Sequence, residues 1–218
     1  MSPEFATLVN PVFDMVLELV DRIEQNDRPD LNEEKKLIRQ DLDKFLAASA
    51  GKSERQAQEY ELARRVLTYW VDEVLTNAIP SEWKGMTVEF DNFGERNRAF
   101  RFYEFGERDA RNGSTDLVET WYLCLVLGFE GDIGHAFREH LHKPLPGGAT
   151  SSVQARQKWA EIMARQIRRP NMAEMAGEPL SGGVEPLTGP VWLKTMTACL
   201  FMASVAFVVL FAVVWRTH

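Results

Sequence analysis

Apolar residues recur every three to four positions from the N-terminus to about residue 168, the period of an amphipathic helix. Val12, Phe13, Val16, Leu17, Val20 and Ile23 form a first stripe, with Asn10 as the expected cap and Pro11 at the first helical position. Asn26-Asp27-Arg28-Pro29 breaks it. A second helix, capped by Asn32, carries Ile38, Leu42, Phe45 and Leu46 and stops at Gly51. Ser53 and Gln56 have capping-box spacing. The third helix follows, with Leu62, Val66, Tyr69, Trp70, Val74 and Leu75 inward, and ends at Pro80. Ser81–Asn92 reads as irregular. Glu95 to about Arg111 is a helix with Ala99, Phe100 and Tyr103 inward, and Asn112-Gly113 is a turn. Ser114 or Thr115 opens the segment Asp116–Gly128. Its run WYLCLVLGF is apolar on every side, so periodicity alone does not separate strand from helix; the cap and the Leu117/Trp121/Cys124/Leu125 spacing favour helix. His135–His142 reads as a short helix and Pro144–Ser152 as a loop. Val153–Arg168 is a last helix, with Ala155, Trp159, Ile162, Met163 and Gln166 on one stripe.

The pattern then changes twice. Residues 170–190 hold four prolines, four glycines and few apolar side chains, the composition of a flexible linker. Thr195–Trp215 contains no charged residue, and at ~1.5 Å per residue it spans about 31 Å, the thickness of a bilayer core. Trp192, Lys194, Trp215 and Arg216 flank it as interfacial anchors. Thr195, Cys199 and Ala203 form a stripe of small residues through which two anchors could pack. The first twenty residues carry Glu4, Asp14 and Glu18 and no basic region, unlike a signal peptide. The expectation is a tail-anchored protein in three parts: a cytosolic helical domain over 1–169, a linker over 170–190 and an anchor with a short tail over 191–218.

Composition narrows the function. The net charge of −7 and a sequence pI near 5.2 argue against a nucleic-acid binder. Cys124 and Cys199 lie in apolar runs with no CxxC, which excludes a zinc-finger framework. Ala50-Gly51-Lys52-Ser53 resembles the end of a phosphate loop, but Leu46 stands where the first glycine belongs. Gly128, Gly131 and Gly134 have the wrong spacing for a dinucleotide loop and read as a helix stop and turn. His135, His140 and His142 are clustered, yet their spacings of five and two differ from the three or four that metal ligands on one helix face use. No nucleophile–base pair emerges. Neither catalysis nor a metal or other cofactor is expected. Asn112-Gly113-Ser114 matches a glycosylation sequon and reads as a turn. Asp72 and Glu73 are adjacent carboxylates in mid-helix, about 100° apart around the axis. They fit either a solvated face with one internal bond or an acidic docking cleft.

Three segments resemble the TssL/DotU/IcmH family. Ala63–Asn77 (ARRVLTYWVDEVLTN) is similar to its Asp-Glu helix, with Trp83 following at the usual place. Phe93-Gly94-Glu95-Arg96, then Phe102-Tyr103, is similar to its Gly-Gly-Glu-aromatic helix start. Leu117–Gly131 (LVETWYLCLVLGFEG) resembles its L-E-x-Y-Y-x-C-L-x-L-G-F-E-G signature almost residue for residue. Phe93 replaces a frequent glycine, and Asp132 stands where a basic residue is common. The resemblance implies an all-α fold, a helical hook of two three-helix bundles followed by the linker and one C-terminal transmembrane helix. It implies a non-enzymatic inner-membrane scaffold of a type VI secretion system, its N-terminal domain in the cytoplasm and its C-terminus in the periplasm. The implied partners are a large IcmF/TssM-like membrane protein, baseplate proteins, a second copy of the chain and the lipid bilayer, with no nucleic acid. It also implies that Asp72 and Glu73 form a functional acidic cleft. The alternatives are the type IVb secretion homologue and a generic tail-anchored adaptor.

Overall fold

A computed structural model describes the backbone of residues 1–174 and side chains through residue 167. Among the described residues every regular element is helical. They are α1 (Pro3–Glu24), α2 (Leu31–Ser49), α3 (Glu54–Ala78), α4 (Pro80–Trp83), α5 (Val88–Phe93), α6 (Arg98–Arg108), α7 (Thr115–Val126), α8 (Ile133–His135) and α9 (Ser152–Glu174). A single π-helical stretch, Ala136–His140, continues α8.

The ends of the elements follow local chemistry. Ser53 and Gln56 close the expected capping box at the start of α3. The Ser114 hydroxyl caps α7, which resolves WYLCLV as helix and leaves Leu127-Gly128-Phe129 in the turn that follows. Gly51 has φ +79°, the left-handed turn that stops the chain after α2. Several boundaries differ from the sequence reading. α1 begins at Pro3 under a Ser2 cap, and Pro11 lies inside it. An internal proline removes one helical hydrogen bond, and burial of Phe5, Val9, Val12 and Phe13 on both sides of it offsets that loss. Asp30, not Asn32, caps α2, accepting from the Asn32 and Glu33 amides at 3.0 and 3.4 Å. α9 runs to Glu174, across Pro170 and past the expected end at Arg168. The stretch read as irregular, Ser81–Asn92, contains most of α4 and α5, while the helix expected from Glu95 starts at Arg98.

α1, α2 and α3 pack against one another in pairs, and α3 also carries α4, α5, α6 and α7. α7 packs on α9, and α8 lies between α6 and α9. Most inward positions match their stripes: Val66, Tyr69, Trp70 and Leu75 on α3 and Ala155, Trp159 and Met163 on α9 are buried. Leu17 and Leu46 are exposed instead, at 38% and 46%, and Leu19 takes the core position on α1. Trp70, Trp83, Trp121 and Trp159 are fully buried. Each indole N–H has an acceptor: Leu127 O, Asp72 Oδ1, Phe102 O and Glu107 Oε2, at 3.0, 2.8, 3.0 and 3.1 Å. That pairing removes the penalty a large amphipathic ring otherwise carries into a core. Gly106 lets α6 approach this cluster, because a Cβ there would stand 2.5 Å from the Trp159 ring.

No helix among the described residues is long and apolar enough to cross a membrane. The linker, the run Thr195–Trp215, its flanks Trp192, Lys194, Trp215 and Arg216, and the stripe Thr195, Cys199 and Ala203 lie outside the described residues, apart from residues 170–174 at the end of α9.

Candidate functional site

The acidic pair sits where α3 meets the α4–α5 segment and the turn after α7. Both carboxylates are turned into the protein. Asp72 is wholly enclosed, at 0% exposure. Its Oδ1 accepts the Trp83 indole N–H at 2.8 Å and the Val88 amide at 2.9 Å, and its Oδ2 accepts the Glu89 amide at 2.6 Å. Val88 and Glu89 are the first two residues of α5. Thr87, at the N-cap position, makes no side-chain cap bond, and its Oγ1 is buried without a partner. Asp72 therefore supplies from α3 the cap that α5 lacks locally, and its charge faces the positive end of that short helix. Burial pushes the Asp72 carboxyl up from its ordinary value, opposed by the Glu89 and Val88 amides, the Trp83 indole and the charge of Arg98.

Glu73 holds a different neighbour. Its Oε1 accepts the Gly131 amide and its Oε2 the Arg98 Nε, both at 3.1 Å. Its side chain is 15% exposed. Gly131 has φ +51°, and a Cβ there would lie 2.5 Å from the Ala99 carbonyl oxygen. With Gly128 at φ +102°, it reverses the chain after α7, as the sequence suggests.

Two residues complete the node that sequence reasoning did not single out. Glu89 is fully buried. Its Oε1 accepts the Asn97 amide at 2.6 Å, and its Oε2 has no hydrogen-bond partner. Arg98 lies 3.6 Å from Glu89 Oε2 and donates to Thr76 Oγ1 at 3.2 Å, besides its bond to Glu73. Burial raises the Glu89 carboxyl to about 7, against the Asn97 amide and the Arg98 charge, with the Asp72 charge adding to the rise. Glu73 and Glu89 thus share one guanidinium, whose charge also reaches Asp72. Glu89 belongs to the stretch read as irregular and Arg98 to a helix read only for its apolar face, and only the folding of α5 and α6 onto α3 brings them here.

The histidines divide. His135 and His140 meet, with Nε2 atoms 3.3 Å apart, and His142 is absent from that pair. Cys124 is a buried free thiol, pushed up by desolvation. Gly128, Gly131 and Gly134 form turns and a helix start.

The described part is an all-α domain in which buried carboxylates fasten one helix to the segments packed on it. A family model described as type VI secretion system protein DotU matches residues 4–217, and this chain belongs to that family. Comparisons with curated proteins and with solved structures give no match.

Proposed function

We propose that this secretion-system component is a non-enzymatic scaffold of a type VI machine. Its helical domain stands on the cytoplasmic side of the inner membrane, and the run Thr195–Trp215 anchors it, with the C-terminus in the periplasm. It docks a large IcmF/TssM-like membrane protein and cytosolic baseplate proteins, and it associates with itself through the Thr195, Cys199 and Ala203 stripe. The observation that carries this reading is the reach of the family match, 4–217, which takes in both the helical domain and the apolar run. The length and flanks of that run support the anchor. Asp72 and Glu73 serve docking from behind: they hold α5 and the turn at Gly131, and so the outward-facing Phe90, which is 50% exposed, and Val126, which is 59% exposed.

The test is purification of the full chain from gently solubilised native membranes by an N-terminal tag, with identification of what accompanies it. A very large membrane partner with baseplate proteins bears the reading out. Conjugation-type ATPase components would move it to the type IVb machine, and recovery of the protein alone would remove the scaffold role.

A further inference from the structure

His135 and His140 are five residues apart, a separation that places two side chains about 140° apart on an α-helix. Here the intervening backbone is π-helical over Ala136–His140, with the Leu141 amide bonded to the Ala136 carbonyl at 2.9 Å. A π turn bonds residue i to i+5 and is frequent at functional sites. It carries His140 back over His135, so that both rings project from one face of the protein. Both residues are exposed.

Phe100 fixes the two rings. It stacks on His140 with centroids 4.1 Å apart and interplanar angle 12°, and it meets His135 edge-on at 5.1 Å. The Nε2 atoms converge to 3.3 Å. A tetrahedral zinc ion with Zn–N bonds of about 2.0–2.1 Å needs its two imidazole nitrogens about 3.3 Å apart. On the far side of His140, Nδ1 lies 4.0 Å from Glu104 Oε2. At that distance the carboxylate acts as a nearby charge that favours the proton on Nδ1, which makes His140 Nε2 the acceptor, toward His135 in the metal-free protein and toward an ion when one is bound. The guanidinium groups of Arg101 and Arg108 are both engaged by Glu104, at 2.9 and 3.3 Å.

We propose that His135 and His140 form a two-nitrogen chelate for a divalent transition-metal ion of the zinc class. In the metal-free protein one Nε2 donates its proton to the other at 3.3 Å; the ion would take the place of that shared proton, and water or a donor from another molecule fills the remaining coordination sites. Among the described residues no group of three or more His, Cys, Asp or Glu side chains is disposed around a metal, so the protein supplies two ligands and the site is open. Imidazole donors suit zinc, nickel and copper rather than magnesium or calcium. The site stands apart from the acidic node and does not depend on the scaffold reading.

The experiment is titration of the detergent-solubilised full chain, purified without a histidine tag, with Zn2+ against a chelating indicator. The expected result is saturable binding of one ion per chain in the micromolar range. His135→Ala and His140→Ala should each weaken it at least tenfold, and His142→Ala should leave it unchanged. Both rings are on the surface, and unchanged circular dichroism of each variant would show that the fold persists. Mg2+ should not compete. Absence of saturable Zn2+ binding, or equal binding by the wild-type protein and the His135→Ala and His140→Ala variants, would overturn the proposal.

Discussion

The main-chain N–H of Glu89 donates to the Asp72 carboxylate at 2.6 Å, while the Glu89 side chain turns back toward Arg98 in the same buried node. One residue thus takes a hydrogen bond's stabilisation from Asp72 and suffers the repulsion of its charge. The arrangement explains why α5, only six residues long, holds its place. Isolated helices of that length are not stable in water.

Substituting Asp72 should therefore damage the fold before it touches any docking. Asp72→Asn keeps one acceptor and turns an amide N–H2 toward donors. The expected cost is about 2–4 kcal/mol, since at least one buried N–H loses its partner. Urea unfolding followed by tryptophan fluorescence reads it directly, because the Trp83 indole is one of the three donors. Lysine at this position should be worse. Loss of a partner in a variant with both Asp72 and Glu73 reversed to lysine would report unfolding of α4 and α5 rather than a missing surface charge.

Glu73→Gln separates the two effects. Glutamine retains an acceptor for the Gly131 amide but gives up the charge facing Arg98, whose guanidinium still has Glu89 and Thr76. The expected loss is about 1–2 kcal/mol, with the fold intact. A variant of this kind that folds and loses its partners would place the docking defect at the Glu73 charge and the Arg98 it holds. One that folds and docks normally would remove Glu73 from the docking proposal.

Glu89 makes stability depend on pH with a definite sign. Its carboxyl rises from 4.5 to about 7 on folding, so the folded state holds the proton more tightly than the unfolded chain. The contribution is complete below pH 4.5 and is lost as pH rises through about 7. Asp72, also raised, acts in the same sense. Glu107 has the opposite sign: burial would raise its carboxyl, but bonds from Arg111, Trp159 and Lys143 hold it below the ordinary value. Its contribution is present above 4.5 and fades in acid. Glu89→Gln should thus raise stability at pH 8 by about 1–3 kcal/mol and flatten the slope between pH 5 and 7. Thermal melts of both proteins across that range check this. An unchanged slope would mean that Glu89 does not hold its proton.

Glycine substitutions should sort by geometry rather than by turn propensity. Gly106→Ala drives a methyl group into Trp159 and Trp121, at 2.5 and 2.7 Å, and should cost about 1–3 kcal/mol. Gly131→Ala combines a positive φ with a 2.5 Å approach to the Ala99 carbonyl and should be at least as damaging. At Gly134 the nearest atoms belong to the flexible end of Arg138, at 3.1 Å, and alanine there should be close to neutral. Melting temperatures of the three variants give the ranking.

Much of this protein is written locally. Helical periodicity marks the long helices, and the Ser53–Gln56 box and the Ser114 cap fix their starts, because a cap needs only residues within one turn. The segment Leu117–Gly131 carried the family resemblance in the same way, as contiguous residues. The tertiary structure decided what depends on residues distant in sequence. Asn10 lost its role as a cap because Phe5 and Val9 bury themselves upstream of it, and packing outweighs the cost of Pro11. Asp72 and Glu73 were visible as a pair. That Asp72 caps a helix sixteen positions on, and that Glu89 and Arg98 complete the node, follows only from α5 and α6 folding onto α3. His135 and His140 stood at a spacing that an α-helix keeps apart, and a change of backbone from α to π brought their rings together. Periodicity reads the face a residue occupies under an assumed helix geometry; which group meets it there, and whether the backbone keeps that geometry, is settled by the packing of the whole domain.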